Sequence, residues 1–499
     1  MKKIYSIIIT LTLFQYGFAQ PCSPIATATQ DMTWTGTASN DWNNPCNWSP
    51  NGVPTATNSI VIPNVANDPV IMSGTTAYAF RIDLGIDASL TVNSGGELNV
   101  LPTDVLFGIS AIYFFSNASL TNNGTLNVTS TVNVPLIRLS NDNCTFNNSG
   151  TANLNSPLPS ISMVGQNVMV NNSASGIINF LGNRGIRCIG GTTGNVITNQ
   201  GTMNYTGNEY FTSLRLGFTL NNSGTIDIRS GLGIYVEGGT VNNLACAKIL
   251  MPTRVYDNRF NGITNNAGLI ITKDIQNTSG SFTNNGVLKY NSTSGNAIIN
   301  SQNSSIIVKN APLPIFAYGG TYDGTIHGIF IDSLATISAG TFILPNTFTP
   351  LESLPLGSQT LYTKITPSGG GCTYIVAFTF KNCSANATIS YLDSNYCKSV
   401  TAVEVNLLGT KGGNFSSTSG LNINSTTGEI NPSNSLSGKY KITYKLTGVG
   451  GCSDVSTTTN VTILDLPSVK NTGTNAVCAG STITLLPNTG GTWLSSNPS

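Results

Sequence analysis

Side chains that could carry out acid–base chemistry are scarce in this sequence. Only 21 Asp and Glu residues occur among 499, and the single histidine is His327 in TIHGIF (325–330). Hydrolysis of a glycosidic bond needs two carboxylates that face each other across the bond. The sequence has no Asp-Asp pair and no acidic cluster within its repeats, and we expect Asp227 and Lys289 to lie on solvated faces. These observations argue against a hydrolase or lyase site.

Sequence motifs for nucleophile, nucleotide and metal chemistry are also missing. There is no G-x-S-x-G, H-E-x-x-H, P-loop or dinucleotide glycine motif, and no Asp-rich calcium loop. One histidine without a C-x-x-C pair leaves no ligand set for zinc. We therefore predict no catalytic, cofactor-binding or metal-binding residues, and a protein that is not an enzyme. The nearest approach to a basic spot is Arg184 and Arg187 in GNRGIRC (182–188), with Arg215.

The overall charge excludes two classes of partner. Charged residues make up 9% of the chain and the formal net charge is +1, whereas about 25% of an ordinary globular protein is charged. Binding to nucleic acid or to an anionic membrane needs a basic patch that this composition does not provide. We expect no nucleic-acid partner, and a surface that owes its polarity to Asn, Ser, Thr and Gly.

The first twenty residues, MKKIYSIIITLTLFQYGFAQ, have the parts of a Sec-type signal peptide. Two lysines form the basic end, and the apolar stretch 4–14 is shorter than the roughly 20 residues that span a bilayer. We predict a signal peptide over 1–19 and a mature chain that begins at Gln20, has no transmembrane segment and is secreted or held at the cell surface. Lipidation at Cys22 is the alternative, although small residues do not precede this cysteine.

Ten cysteines in an exported chain predict disulfides. The cysteines are Cys22, Cys46, Cys144, Cys188, Cys246, Cys372, Cys383, Cys397, Cys452 and Cys478. Cys22 and Cys46 are candidates for a pair because they are close in sequence. Cys397 and Cys452 would close a loop of about 55 residues, which stabilises a fold by about 4 kcal/mol in the chain-entropy model. Spacing alone does not fix the connectivity, so both pairs are hypotheses.

An Asn-rich unit recurs through the middle of the chain, for example as TFNNSGTANL (145–154) and TLNNSGTIDI (219–228). The first Asn residues of successive units are Asn122, Asn147, Asn171, Asn199, Asn221, Asn242, Asn265 and Asn284. Their steps average about 23 residues, which suits one coil of a solenoid. Alternation of apolar residues after a Gly/Asn turn indicates strands, and the helical i, i+3, i+4 pattern is missing. The repeats predict a parallel β-helix over 76–345.

Stacking of such coils explains the shortage of charge. Successive coils lie about 4.8 Å apart, so a charge repeated at one position would face its own copy. Asn avoids this repulsion because its amide both donates and accepts a hydrogen bond. We therefore predict that the eight Asn residues form a structural ladder, with a polar ligand site as the alternative.

Three tryptophans, Trp34, Trp42 and Trp48, fall within TWTGTASNDWNNPCNWSPNGVPTATNSIVIPN (33–64). The pattern W-x-G, D-W, N-W, G-x-x-P and V-I-P resembles a segment at the start of β-rich secreted surface proteins of Bacteroidetes-type bacteria. The resemblance implies a capping segment over 20–75 that closes the open end of the solenoid. The alternative is an aromatic platform, in which the three tryptophans contact glycans.

The C-terminal part has a different pattern. The pieces G-x-F-S-S-T, T-G-x-I and G-x-Y-x-I-T-Y within 412–452 resemble the Ig-like modules of large bacterial adhesins. The resemblance implies an Ig-like β-sandwich over 384–466 and the start of a further, truncated module over 467–499. The stretch 346–383 reads as a β-rich module or connector. The sorting domain of type IX secretion, usual in such proteins, is not visible.

Together these patterns predict an all-β protein, with a parallel β-helix solenoid followed by Ig-like β-sandwich modules. The favoured function is that of a non-catalytic secreted cell-surface protein, adhesin-like or structural, whose partners are glycans or extracellular matrix components. The alternative is a carbohydrate-active β-helix protein that binds a polysaccharide or cleaves it as a lyase or hydrolase. No cofactor is expected for either function.

Overall fold

The computed structural model is all-β, apart from two short 3-10 turns at Pro45–Asn47 and Pro432–Asn434. The residues that it describes are Cys22, 31–103, 110–189, 193–251, 258–290, 292–300, 306–309, 324–343, 347–367, 372–466 and single residues or short stretches between 472 and 494. They fall into two compact units, the first reaching Thr349 and including Leu361–Phe378, and the second made of Pro350–Thr360 and the residues from Thr379 onward. The predicted signal peptide and most of 467–499 lie outside the described residues.

The first unit contains the predicted parallel β-solenoid, in which three parallel sheets run along one axis. We number these sheets 1 to 3 in the order in which a coil passes through them. Strands of the same sheet are one coil apart and pair in parallel register, as in Ser119–Asn122 beside Thr145–Asn148. Alternating side chains along each strand are buried, because inward positions carry apolar residues and outward positions carry Asn, Thr or Ser.

The strands of each sheet follow the repeat. Sheet 1 contains Met32–Trp34, Ser59–Ile62, Arg81–Leu84, Ile112–Phe114, Ile137–Leu139, Pro159–Met163, Arg184–Cys188, Tyr210–Arg215, Asp274–Asn277 and Ser292–Gly295. Sheet 2 contains Val70–Ile71, Ser89–Val92, Ser119–Asn122, Thr145–Asn148, Met169–Asn172, Asn195–Asn199, Phe218–Asn222, Ser281–Asn284 and Ile299–Asn300. Two long strands, Gly233–Asn243 and Arg259–Asn266, pass from sheet 1 into sheet 2.

Sheet 3 contains eleven strands in the part of the chain that the structure describes. They are Thr76–Ala79, Glu97–Val100, Thr125–Thr129, Thr151–Asn155, Ile177–Phe180, Thr202–Tyr205, Thr225–Ile228, Lys248–Met251, Leu269–Thr272, Val287–Tyr290 and Ile306–Lys309. Asn residues on its outer face form a hydrogen-bonded column of Asn99, Asn127, Asn153, Asn179 and Asn204. The same position is then occupied by Asp227, Leu250 and Ile271.

A smaller sheet covers sheet 3 where its outer face becomes apolar. Its strands are Gly324–Phe330, Gly357–Pro367 and Tyr374–Asn382. A second apolar cluster joins the covering sheet to the outer face of sheet 3, and its members are Leu250, Leu269, Ile271, Val287, Ile326, Phe342, Ile365, Cys372, Tyr374 and Val376. The disulfide Cys246–Cys372 links the two surfaces. We call Gly324–Phe330 with residues 361–378 the covering hairpin.

Lys289 lies under the covering hairpin rather than on a solvated face, so the expectation from sequence is wrong for this residue. Its Nζ donates a hydrogen bond to the carbonyl oxygen of Ala377, and burial lowers the pKa of its ammonium group. Asp227, in contrast, pairs with Arg229, with 2.8 Å between Oδ2 and Nε.

The second unit has two small sheets and its own apolar core. One sheet pairs Ala387–Ser390 with Asn406–Gly409 in antiparallel register. The other has the order Asn395–Cys397, Val455–Leu464, Gly438–Leu446, Asn414–Ser417. Two short strands, Gly340–Ile343 and Thr347–Pro350, pair with each other at the end of the first unit.

The disulfides differ in part from the candidate pairs. Cys22 is bonded to Cys46, as proposed, but Cys452 is bonded to Cys383 and not to Cys397. Cys397 ends an exposed strand beside Val455–Leu464 and carries a free thiol. Cys452 instead follows the Gly-rich turn after Gly438–Leu446, where its backbone lies 5.5 Å (Cα–Cα) from that of Cys383. Sequence separation could not distinguish between these two partners.

Candidate functional site

The three tryptophans do not form a glycan platform. Trp34 and Trp42 are fully buried and Trp48 is 1% exposed, so the interpretation as glycan contacts is wrong. The ring of Trp48 packs edge-on against those of Trp34 and Trp42, with centroids 4.9 and 4.7 Å apart. The indole N–H of Trp48 donates to the carbonyl oxygen of Trp42 (2.8 Å). The rings belong to the solenoid core and close its first coils, since Met32–Trp34 pairs with Ser59–Ile62.

The eight predicted ladder residues lie in two columns rather than one. Asn122, Asn199 and Asn284 are buried inside the coils, at the corner between sheets 2 and 3. The others, on the outer face of sheet 2, are Asn147, Asn171, Asn221, Asn242 and Asn265. The split arises because the repeat units differ in the residue that precedes the Asn pair. In LTNNG (120–124) the first Asn is Asn122, and it pairs with Asn148, which is the second Asn of FNNSG (146–150).

The inner column is a continuous chain of side-chain amides. Its members are Asn122, Asn148, Asn172, Asn199, Asn222, Asn243, Asn266 and Asn284, and each Nδ2 donates to the next Oδ1 over 2.7 to 2.8 Å. The Nδ2 of each of the first seven also donates to a backbone carbonyl one coil further on, as from Asn199 to Thr225 (3.1 Å). The Oδ1 of Asn122, at the start of the column, has no hydrogen-bond partner among the residues that the structure describes. Buried amides that are bonded to one another as the rest of the column is stabilise a core and are closed to ligands.

The outer column is shorter and interrupted. Here Asn171 donates to Asn147 (3.0 Å), Asn242 to Asn221 (2.8 Å) and Asn265 to Asn242 (2.9 Å). Beside it lies a neutral groove of about 380 Å³ lined by Thr121, Asn147, Asn171, Thr198 and Gln200, among others. Several of its polar groups already bond to one another, so the groove offers few free donors.

The acidic residues and the single histidine do not form a metal-binding cluster in the described part of the chain. His327 is exposed and its Nε2 lies 2.8 Å from the hydroxyl of Thr366. No group of three or more His, Cys, Asp or Glu residues that could hold a metal ion occurs among the described residues. The ion pairs found on the solenoid's outer faces, such as Arg81 with Asp83, join one acid to one base. Burial, and to a smaller extent the nearby carboxylate of Asp31, raises the pKa of Asp83 against the opposing effect of Arg81.

Sheet 1 presents the most chemically distinct surface of the solenoid. One outward position, followed from coil to coil by the strand register, carries Tyr113, Arg138, Ser162, Arg187, Ser213, Tyr235 and Arg259. We call this set the Arg–Tyr column. It combines guanidinium groups and tyrosines, whereas the matching columns of sheets 2 and 3 are dominated by Asn and Thr.

The predicted basic spot lies in the middle of this column. Arg187 is exposed, and Arg184 and Arg215 flank it, so the structure brings the three arginines together. With Tyr210, Ser213 and Tyr235 they line a cleft of about 210 Å³. The sequence did not single out the tyrosines, although the members of the Arg–Tyr column recur at steps of 25, 24, 25, 26, 22 and 24 residues.

Ion pairs and ring stacking hold the edges of the cleft. Arg184 is bonded to Glu209, and Arg215 Nε lies 3.8 Å from Glu237 Oε2 with both side chains about half exposed. The rings of Tyr210 and Tyr235 are 5.3 Å apart, and the guanidinium carbon of Arg259 lies 5.6 Å from the centroid of Tyr235. Such stacking stiffens the tyrosines and arginine.

Arg187 differs from its neighbours. It has no ion pair or side-chain hydrogen bond with any residue that the structure describes. Ser162 and Ser213 stand beside it on the adjacent coils, so no carboxylate faces it along its column. An exposed guanidinium with five unused donors in a groove is suited to a carboxylate, sulfate or phosphate ligand.

No helix among the described residues is long and apolar enough to cross a membrane. Comparison with known proteins gives one match. Residues 33–141 match a family described as a domain of unknown function, DUF8693. No curated protein and no solved structure matches the chain. The matched region contains the buried tryptophans and the first coils, and it ends at the strand that carries Arg138.

Proposed function

We propose that this chain is a non-catalytic, exported surface protein, adhesin-like or structural, whose solenoid is a rigid scaffold for contact with extended partners. The observation that carries this proposal is the inner Asn column, which ties eight successive coils together through buried amide bonds. A scaffold of this kind holds outer side chains at fixed spacing, which favours repeated, shape-based contact.

We infer that the second unit is an Ig-like module, which is consistent with the same function. Two sheets with strands of 3 to 10 residues enclose a core that includes Tyr396, Phe415, Tyr440 and Tyr444. The short strand Asn395–Cys397 pairs in parallel with the end of Val455–Leu464, while the remaining pairs of that sheet are antiparallel. Such sandwiches commonly serve as spacers or binding modules in extracellular proteins.

Attachment of cells tests the proposal. Deletion of the gene in the source organism is expected to reduce attachment to glycan-coated and matrix-coated surfaces, and re-expression of the full chain should restore it. Protease treatment of intact cells, followed by detection of the chain, shows whether it is exposed at the surface. Unchanged attachment, together with a chain that stays protected inside the cell, would contradict the proposal.

A carbohydrate-active protein is the second candidate, and the cleft between Arg184, Arg187 and Tyr235 favours it. Cleavage would require an acid and a base on either side of the scissile bond. Binding without cleavage remains compatible with a surface protein. Release of sugars or unsaturated products from a polysaccharide panel would establish the enzymatic version and overturn the non-catalytic one.

A further inference from the structure

The Arg–Tyr column is an extended ligand surface rather than an isolated pocket. Its members lie on consecutive coils, and strands of neighbouring coils are about 4.8 Å apart. Arg138 and Arg187 are two coils apart and therefore about 10 Å apart along the axis. Arg187 and Arg259 are three coils apart, or about 14 Å. A ligand that contacts all three must itself be extended for more than 20 Å along the axis.

The charge of the column defines the chemistry of that ligand. Arg187 forms no ion pair with any residue that the structure describes. Arg138 Nε donates a hydrogen bond to the hydroxyl of Ser140 (2.7 Å), and because this hydroxyl is neutral it does not compensate the positive charge of Arg138. The pairs Arg184–Glu209 and Arg215–Glu237 are neutral overall. Arg138 and Arg187 therefore place positive charges about 10 Å apart along the column, which match negative charges at intervals along a chain.

The tyrosines of the column add hydroxyl groups that can form hydrogen bonds with a ligand. The faces of Tyr235 are in contact with Tyr210 on one coil and Arg259 on the next, so these rings stack on protein groups along the axis. Tyrosine hydroxyls are both donors and acceptors, as is the hydroxyl of the partly exposed Ser213, whereas Ser162 is buried. A ligand rich in hydroxyl groups between its negative charges would find partners at Ser213 and Tyr235.

We propose that the Arg–Tyr column binds a linear acidic polysaccharide, one that carries carboxylate or sulfate groups, along the axis of the solenoid. Arg187 is the central contact, where its guanidinium fork takes an acidic group, and Arg138 and Arg259 bind further groups of the same chain. The inference rests on the proposed function, since a chain inside the cell would not meet such a polymer.

Nucleic acid is a weaker match for the same surface. Its binding depends on many phosphate contacts and a strongly basic face, whereas this chain has a net charge of +1 and pairs Arg184 and Arg215 on this face with glutamates. The neutral groove on sheet 2 is also a weaker match for an acidic polymer, because none of its lining residues is charged.

Affinity electrophoresis of the purified full chain tests the proposal. The gels contain dextran sulfate or dextran, which share a backbone and differ in charge, or polygalacturonate and its methyl ester. Retardation is expected in the charged member of at least one pair and not in its neutral counterpart. Equal mobility in all four gels, or stronger binding to duplex DNA at the same salt concentration, would overturn the proposal.

Matched variants locate the binding surface. Arg187→Ser copies the serine found at the same position on the two adjacent coils, so the fold is expected to tolerate it. Loss of a charge-assisted hydrogen bond should weaken retention about tenfold. Arg229→Ser is the control, because it removes one positive charge from a different face of the solenoid, beside Asp227. Arg187→Lys keeps the positive charge but loses the paired N–H donors of the guanidinium group, so it should bind with intermediate affinity.

The outcomes separate this inference from the proposed function. Equal weakening by Arg187→Ser and Arg229→Ser would show a non-specific charge effect and reject the Arg–Tyr column as the site. If no acidic polymer is bound but cell attachment still depends on the gene, the inference fails and the proposed function stands. If the polymer is cleaved, the non-catalytic function fails while the site stands.

Discussion

At the scale of single residues, the inward-facing Asn of each repeat is the most constrained position of the solenoid. Asn199 is fully buried, accepts from Asn172 (2.8 Å), and donates to Asn222 (2.8 Å) and to the carbonyl oxygen of Thr225 (3.1 Å). Two neighbouring amides depend on it for their own partners. Its replacement would therefore leave buried donors and acceptors unpaired on both adjacent coils.

The first prediction compares the two Asn columns. Asn199→Ala should lower the free energy of unfolding by about 2–4 kcal/mol, because it removes several buried hydrogen bonds and leaves a cavity. Asn242→Ala, on the outer face, should cost less than about 1 kcal/mol, since water can replace its partners. Urea unfolding followed by circular dichroism measures both. Similar losses for the two variants would show that the inner column has no special role.

The second prediction concerns the close approach of neighbouring coils at a turn. A Cβ added to Gly150 would collide with the carbonyl oxygen of Gly124 on the preceding coil. Gly150→Ala should therefore destabilise the solenoid by about 1–3 kcal/mol through overpacking. Ser149→Ala in the same turn is the control and should change stability by less than about 0.5 kcal/mol. A melting temperature for Gly150→Ala equal to that of the control would contradict the close approach.

The sequence predicts the presence of Asn ladders but not the member of each pair that turns inward. Aligning units by their first Asn superimposes Asn122 on Asn147, whereas the structure pairs Asn122 with Asn148. Alignment by the buried apolar residue two positions earlier, such as Leu120 with Phe146, gives the correct register. Burial alternates with a period of two, so a shift of one residue exchanges inside for outside.

At the scale of elements, the covering hairpin explains a change in the repeat that sequence reading left unexplained. The outer position of sheet 3 is Asn in the early coils and becomes Leu250 and Ile271 in later ones. Exposed apolar residues at these positions would be unfavourable, and the hairpin buries them. Such a change of pattern could have predicted a cover, but not the segment that supplies it, because the contacts join residues far apart in sequence, such as Lys289 with Ala377 (88 positions) and Cys246 with Tyr374 (128 positions).

The third prediction tests the attachment of the covering hairpin. The paired variant Cys246→Ala with Cys372→Ala removes a crosslink with a sequence separation of 126 residues. In the chain-entropy model such a link stabilises the fold by at most about 5 kcal/mol. We expect a lower unfolding midpoint and increased binding of a hydrophobic dye, as the apolar face of sheet 3 is uncovered.

Cys144→Ala is the control for the third prediction, because Cys144 is buried but not disulfide-bonded, and burial raises the pKa of its thiol to about 11. Its loss should not increase dye binding. Unchanged stability and dye binding in the paired cysteine variant would show that packing alone holds the hairpin.

At the scale of the whole molecule, the sequence predicts the solenoid well and the surface chemistry poorly. A repeat of about 23 residues with alternating apolar positions admits few other folds, and the predicted parallel β-solenoid is confirmed by the structure. The Trp cluster was ambiguous, since buried and exposed rings share one sequence pattern. Of the Arg–Tyr column only Arg187 was singled out, together with the flanking Arg184 and Arg215, because the tyrosines and serines of the column gain meaning only when the coils are in register.

The fourth prediction follows from the two compact units. The solenoid is held by contacts between neighbouring coils, whereas the second unit has a separate core. Calorimetry of the full chain should therefore show more than one unfolding transition. Arg187→Ser should leave every transition unchanged, while Tyr444→Ala, in the core of the second unit, should lower one of them. A single transition that moves as a whole in Tyr444→Ala would contradict independent unfolding.

The most direct test of the central claim measures binding and cleavage in one reaction. The full chain is incubated with the acidic polymer that retards it, dextran sulfate or polygalacturonate, and both the bound fraction and the number of new reducing ends are followed over time. We expect the polymer to be retained with no increase in reducing ends, and retention to fall in Arg187→Ser but not in Arg229→Ser. Reducing ends that accumulate in proportion to protein concentration would contradict a non-catalytic binding scaffold.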